Sequence, residues 1–269
     1  MSILNKIKYQ IHRAGISHLF DQMMYGYAVL KNFRENRLFR RSFPGIALPP
    51  DYMLYEAYGL RYRPYYEGGK QTARWLVDRL ESYIELDKAS ILDWGCGPGR
   101  VIRHLPELLP EASFYGTDYN PRTISWCQEH IPGVQFSLNK VDPPLGYADE
   151  SFHALYGISI FTHMSEDNHP AWIRELHRVL KPGGILLITT QGNAFAEKLI
   201  ASESEQFQAG QIVIRQGTRE GHLTYNAFHP EEYIKGLIAG YFDLKSHIPG
   251  KRESWGIGQD VWCAARIPN

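Results

Sequence analysis

The stretch Ser90-Ile-Leu-Asp-Trp-Gly-Cys-Gly-Pro-Gly-Arg100 limits what this chain can fold into more than any other. Ile91 and Leu92 read as the end of a buried strand that Asp93 closes, and glycines at 95, 97 and 99 follow. Glycine has no Cβ to hold off a group approaching the main chain, and it tolerates the positive φ that a strand-to-helix turn often needs. The turn is expected to leave its backbone facing a ligand. A helix starting near Pro98 or Arg100 should aim its N-terminal N–H groups and positive dipole end at the same point.

A dinucleotide fingerprint G-x-G-x-x-G begun at Gly95 needs its third glycine at position 100, which is Arg100. NAD binding is disfavoured on that ground. Downstream, Ser113-Phe-Tyr-Gly-Thr-Asp118 reads as a second strand ending in a carboxylate. In a doubly wound sheet that strand end lies beside the first turn, so Asp118 is expected to reach the two hydroxyls of a ribose. A charge-assisted hydrogen bond of this kind contributes roughly 1.5 to 3 kcal/mol. Asp118 also suits a capping role for the next helix at Pro121.

With these residues in place, Ile91-Leu-Asp-Trp-Gly-Cys-Gly-Pro-Gly99 resembles motif I of the class I S-adenosylmethionine-dependent methyltransferases. Asp118 matches the acidic residue that holds the cofactor ribose in that family. Pro143 to Phe152 with His153 to His163 resembles the family's fourth strand and its lead-in, and Leu176 to Ile188 resembles the helix, turn and fifth strand after it. The resemblance covers roughly residues 70 to 269 and implies S-adenosyl-L-methionine as cofactor. It places Asp93, Gly95, Cys96, Gly97 and Gly99 at the cofactor turn, Gly157 and Ile158 near the methionyl end, and Asn139 where the family forms its adenine pocket. Many members have an acidic residue near that last position, so Asn139 is a departure. Tyr119 is expected to wall the adenine.

Hydrophobic content of 43% and charged content of 22% over 269 residues are those of a soluble globular protein with a sizeable core. Cys96, Cys127 and Cys263 are widely spaced and odd in number, which suits free thiols in a reducing cytoplasm. No stretch approaches the ~20 apolar residues of a transmembrane helix, and no leader pattern is visible. The overall balance of 29 basic and 29 acidic residues gives no general push toward nucleic acid.

Local asymmetry lies in residues 1–50, where Lys6, Lys8, Arg13, Lys31, Arg34, Arg37, Arg40 and Arg41 face only Asp21 and Glu35. Apolar residues at helical spacing, Ile3, Ile7 and Ile11, then Ile16, Phe20, Met23, Tyr27 and Leu30, predict one or two amphipathic helices. They form either an appendage with a solvated basic face or a docking element for an anionic membrane surface or an acidic partner. In residues 51–69, rich in Tyr and Arg, Tyr65 and Tyr66 are acceptor-pocket candidates, because the family commonly closes this segment over the cofactor. A helix is expected over 70–83.

Further along, helices are expected over 101–109, 123–130, 171–180 and 231–239, and strands over 134–138, 154–157, 242–248 and 260–266. His163, just past the fourth strand, is the candidate general base, since an imidazole with its ordinary pKa of ~6.5 accepts protons near neutrality. Glu166, Asp167 and His169 read as the polar start of a helix with Pro170 in its first turn, and no metal is expected. Residues 191–229 make a connection longer than usual, read as an inserted cap with a helical piece over 195–202 and β-like pieces over 211–215 and 222–226. Tyr225 and His229 are its substrate candidates.

The expected architecture is α/β: a Rossmann-like three-layer sandwich with a seven-stranded, mostly parallel sheet, an N-terminal helical appendage over 1–50 and a methyltransferase domain over 51–269. The expected activity is methyl transfer to a small-molecule or sugar-containing acceptor. Gly258 to Trp262 and Tyr225 to Pro230 resemble bacterial methyltransferases of surface-polysaccharide pathways. The rival is a catalytically silent S-adenosylmethionine-binding scaffold.

Overall fold

Strands covered on both faces are written as near-continuous apolar runs, and Ile185-Leu-Leu-Ile188 is such a run. The computed structural model describes residues 17–215, 220, 225–254 and 256–268. Its central feature is a seven-stranded sheet in the order β3-β2-β1-β4-β5-β11-β8. The strands are β1 (Ser90–Trp94), β2 (Ser113–Asp118), β3 (Val134–Leu138), β4 (Phe152–Gly157), β5 (Leu180–Thr190), β8 (Phe242–Ile248) and β11 (Asp260–Arg266). β1 to β5 are mutually parallel, and β11 runs antiparallel to both of its neighbours. β1 therefore has β2 on one side and β4 on the other, the point where the winding reverses and a crevice opens beyond the strand ends.

Alternate residues of each strand feed the two hydrophobic layers. Ile91, Ile185, Leu187 and Cys263 point into one, where Leu76 and Leu80 of α3 (Tyr62–Glu81) and Ile124 and Cys127 of α5 (Pro121–His130) cover them. Leu92, Leu186, Ile188 and Trp262 point into the other, covered by Trp172, Ile173 and Leu176 of α6 (Asn168–Val179) and Ile234 and Ile238 of α8 (Glu231–Ile238).

The helix expected over 101–109 is broken. A 3-10 turn spans Ile102–His104, and α4 holds only Leu105–Leu108. Pro106 lacks the N–H that would continue a helix from Ile102, so the helix must restart with the proline in its first turn. The tyrosine-rich segment, by contrast, is helical: α2 covers Asp51–Tyr58, and α3 begins at Tyr62 rather than near Lys70.

The first described helix, α1 (Ser17–Ser42), packs Ala28 and Phe39 against Leu54, Leu60, Tyr62 and Tyr65. Ile3, Ile7 and Ile11 lie outside the described residues. Between α2 and α3 the backbone turns through left-handed Gly59 and Leu60. Two buried asparagines of α1 satisfy that turn: Asn32 Nδ2 donates to the Gly59 carbonyl at 3.0 Å and Asn36 Nδ2 to the Leu60 carbonyl at 2.8 Å. Asn36 Oδ1 accepts from the Tyr62 N–H at 3.1 Å.

The inserted segment carries a 3-10 turn at Asn193–Lys198, α7 (Ala201–Gln208) and the antiparallel pair β6 (Val213–Arg215) and β7 (Asn226–Phe228). Part of the β-like piece expected over 222–226 lies outside the described residues. A short hairpin of β9 (Arg252–Glu253) and β10 (Gly256–Ile257) precedes β11. No described helix is long and apolar enough to cross a membrane.

Because both ends of the Asn36 side chain are used in a buried setting, Asn36→Ala strands a carbonyl and an N–H together. The expected loss is about 2 to 4 kcal/mol, read as a lowered midpoint in urea denaturation.

Candidate active site

The glycine turn is tied to the end of β2. The Thr117 carbonyl accepts the N–H groups of Gly95 and Cys96 at 2.8 and 2.9 Å, and the Gly97 N–H donates to Asp118 Oδ2 at 3.0 Å. The Gly99 N–H turns back to the Cys96 carbonyl at 3.0 Å. The expectation that these amides face a ligand is thus corrected, because the neighbouring strand has taken them up. The dipole argument is corrected too, since four residues of α4 behind a 3-10 turn make no extended helix aimed at the turn.

What the turn offers instead is space. Gly97, at φ +51°, has no atom within 4 Å of where a Cβ would stand, whereas a Cβ on Gly95 would overlap the Ile160 side chain. Ile160 follows β4, so Gly95 lets the β4 loop close down while Gly97 keeps the approach open.

A cleft lies beyond these strand ends. Gly95, Asp118, Tyr119 and Asn139 line one part of it, and Ile160, His163, Met164 and Trp172 another, with Lys140 and Glu220 also on its wall. The structure therefore brings together five of the expected positions around one opening, Gly95, Asp118, Tyr119, Asn139 and His163, while Gly97 is tied to it through its N–H bond to Asp118. Asp118 is buried, with Oδ1 accepting the Asn120 N–H at 2.8 Å. Burial pushes its pKa above the usual carboxylate range, against the pull of the backbone donors. Backbone N–H groups of Gly97, Asn120 and Tyr119 all act on the carboxylate, so of its roughly four acceptor sites about one is left for a hydroxyl donor from the cleft side. Asn139 accepts from Thr117 Oγ1 at 2.7 Å, and its N–H donates to the Asp118 carbonyl at 3.1 Å. Tyr119 is 43% exposed.

Other expected residues are held away from the opening. Asp93 is sealed beneath the turn, where Tyr156 Oη donates to its Oδ2 at 2.8 Å and burial raises its pKa to about 7. Cys96 turns its thiol into the core beside Cys127. Gly157 is buried at the end of β4 against Trp94, and Ile158 is half-buried beside the opposite hydrophobic layer.

Tyr65 is fully buried behind the turn. Its hydroxyl donates to the Pro98 carbonyl at 2.6 Å and accepts from Arg103 Nη1 at 2.9 Å, so it braces the turn and does not line the cleft. Tyr66 packs its edge on His104. Arg100, which stands where a third glycine would be, donates to Tyr58 Oη at 2.9 Å and Thr72 Oγ1 at 3.0 Å, pinning the turn to α2 and α3.

His163 ends a 3-10 turn, and its Nδ1 lies 2.7 Å from the Tyr225 carbonyl. A carbonyl only accepts, so Nδ1 carries the proton and the lone pair is on Nε2. Tyr225 thus reaches the site through its backbone. His229 is corrected more fully: it is completely buried and pairs its Nε2 with His169 Nε2 at 3.0 Å. The Ser165 carbonyl fixes the His169 proton on Nδ1, so His229 Nε2 is the donor, and burial lowers both pKa values, that of His169 to about 4. Among the cleft residues that the sequence did not point to, Glu220 accepts from the Ser165 N–H and Oγ and from Asn168 Nδ2 at 2.8 to 3.0 Å, holding the cap to the start of α6. A loop carboxylate in a region without periodicity gave no signal. Trp172, in contrast, reads as plain core on a helix face.

Comparison with known proteins agrees with this geometry. A family model described as a methyltransferase domain matches residues 91–184, from β1 into β5. The chain is 32% identical over 119 residues to phthiotriol/phenolphthiotriol dimycocerosates methyltransferase 1 of Mycobacterium ulcerans, the match covering 42% of each protein. It is 27% identical over 185 residues to the tRNA N(3)-methylcytidine methyltransferase trm141 of Schizosaccharomyces pombe, covering 63% of this chain and 72% of that one. The chain spans only 41 to 42% of the length of the mycobacterial relatives it matches. A crystal structure of an S-adenosylmethionine-dependent methyltransferase from Methanosarcina mazei shares the fold with a TM-score of 0.56 at 21% identity, covering 71% of this chain and 98% of that one.

The buried Asp93 makes stability depend on pH in a definite direction. Its pKa is raised from 3.8 to about 7, so the folded state keeps a proton that the unfolded chain releases. The contribution is complete below the unfolded value, declines as pH rises through that window and is lost above the folded value. Asp93→Asn keeps an acceptor for Tyr156 and cannot ionise. Its urea stability relative to wild type should improve from about pH 4 to pH 7 by up to about 1.4 kcal/mol per pH unit and then level off.

Proposed function

We propose that this chain belongs to the class I S-adenosylmethionine-dependent methyltransferases and transfers the methyl group of S-adenosyl-L-methionine to a small-molecule or sugar-containing acceptor. The observation that carries the reading is the pairing of two features at one strand crossover: a glycine turn whose Gly95 lines the cleft, and an Asp118 carboxylate that lines the same cleft and accepts the Gly97 N–H. The donor set fits the cofactor. Asp118 would take the ribose hydroxyls, and Tyr119 and Asn139 would flank the adenine.

When bound, the cofactor supplies a methyl group already activated by its sulfonium. The chain's own work is to align the acceptor and exclude water, an effect that reaches roughly 7 to 11 kcal/mol in favourable systems. Ile160, Met164 and Trp172 give the cleft an apolar wall beside His163, which supports a compact acceptor over a polyanion. His163 then acts as the base, held by Tyr225 with its lone pair on Nε2 and taking the proton from the acceptor's nucleophile. Cys96, Cys127 and Cys263 are all buried free thiols, which supports a reducing compartment such as the cytoplasm.

Calorimetry with S-adenosylhomocysteine tests the cofactor half of the reading. Wild type should bind in the micromolar range and Asp118→Ala at least about tenfold more weakly, as expected for a lost charge-assisted bond. No binding by folded wild type would remove the reading. For the acceptor half, S-adenosylhomocysteine release is measured over a panel of small and glycosylated acceptors. His163→Gln should lower turnover by about a hundredfold or more while leaving S-adenosylhomocysteine affinity within twofold.

A further inference from the structure

The outward face of α1 carries the inference. Residues 23, 27, 30, 34, 37 and 41 recur at alternating steps of four and three and so lie along one line of the helix. They are Met23, Tyr27, Leu30, Arg34, Arg37 and Arg41, and every one is exposed. The opposite line, Ala28, Asn32, Asn36 and Phe39, is the buried one that holds α1 to α2 and α3. On the outward face Leu30 is 79% exposed and Met23 66%, with Phe33 at 61% on its flank. These are large apolar side chains on a helix whose other side already satisfies the protein's own core.

The charges on this face have one sign. Arg34, Arg37 and Arg41 are joined by Lys31, whose ammonium sits 5.7 Å from the Tyr27 ring centroid, and none of the four makes an ion pair among the described residues. Asp21 is turned inward to the hydroxyls of Tyr52 and Tyr55, and Arg40, on the flank, is engaged with Tyr62 and Asp51. Glu35 falls toward the packed side of the helix, away from the line through Leu30 and Arg37.

We propose that this face of α1 docks on an anionic lipid bilayer surface, the helix lying in the interfacial plane. An apolar stretch followed by arginines along one helix face suits such a surface: the hydrocarbon boundary takes Met23, Tyr27, Leu30 and Phe33, and anionic headgroups take the guanidinium and ammonium groups. The long basic side chains reach to headgroup level while their stems stay against apolar neighbours. A second copy of the chain is a poorer occupant, because the stripe has no carboxylate to meet the arginines of its twin, and an isologous contact would bury like charges together. The inference stands apart from methyl transfer and would hold for any activity in the cleft.

The test uses the full chain in vesicle co-sedimentation, with phosphatidylcholine vesicles compared with vesicles containing about one-third phosphatidylglycerol. Wild type should partition at least about tenfold more strongly onto the anionic vesicles and lose that preference in high salt. The triple variant Arg34→Gln/Arg37→Gln/Arg41→Gln should bind them roughly a hundredfold more weakly, and Leu30→Ser/Phe33→Ser at least about tenfold more weakly. All five positions are exposed, so thermal melts should match wild type. Equal binding to both kinds of vesicle would overturn the proposal, as would wild-type affinity in either variant. So would a dimer in light scattering that Leu30→Ser/Phe33→Ser dissolves while wild type binds no vesicle, a result that assigns the face to a second copy.

Discussion

The Thr117 carbonyl, accepting two consecutive amides of the glycine turn, is the contact on which the site's shape depends. Together with the bond from the Gly97 N–H to Asp118, it fastens the turn after β1 to the last two residues of β2. The carboxylate and the opening at Gly97 are consequently fixed in one frame rather than carried on two independent loops. The cost of that arrangement falls on the sequence, because Gly95 must be bare to admit Ile160 and Asp93 must sit beneath the turn with its ionisation suppressed.

The rest of the protein reinforces the same frame from two sides. Behind the turn, Tyr65 reaches it from α3 and Arg100 reaches out of it to α2 and α3, so the helices that precede the sheet in sequence become part of the turn's support. In front, the inserted segment contributes Glu220 to the start of α6 and the Tyr225 carbonyl to His163. The buried His169–His229 pair joins α6 to the residue just after β7. The cap therefore acts on the cleft through backbone and anchoring groups, while the cleft surface between Ile160 and Trp172 comes from the sheet's own loops and from α6.

Much of this was legible in the sequence, for identifiable reasons. β2 and β11 fall where their apolar residues and bounding turns put them, and the edge strands β3 and β8 where apolar and polar residues alternate, because each pattern matches the burial of its strand. The glycine spacing and the strand-end Asp118 point to one site because a doubly wound sheet brings those strand ends together. The direction of the turn's N–H groups was not legible: which acceptor they find depends on the register of β1 against β2, a tertiary fact. Tyr65 was drawn to the wrong surface, since a tyrosine near a site reads the same whether it faces the ligand or braces the turn from behind. The break at Pro106 was written in the chain, but a proline in the first turn of a helix and one that interrupts a helix look alike until the preceding turn is known.

Asp118 and the glycine turn are proposed as the two sides of one cofactor seat. The most direct measurement is a crystal structure of the protein with S-adenosylhomocysteine. Both ribose hydroxyls are expected within hydrogen-bonding distance of the Asp118 carboxylate, with the ligand against the glycine turn and the Gly95 and Cys96 amides still on Thr117. S-adenosylhomocysteine bound elsewhere, or bound in the cleft with Asp118 making no contact to the ribose, would contradict it.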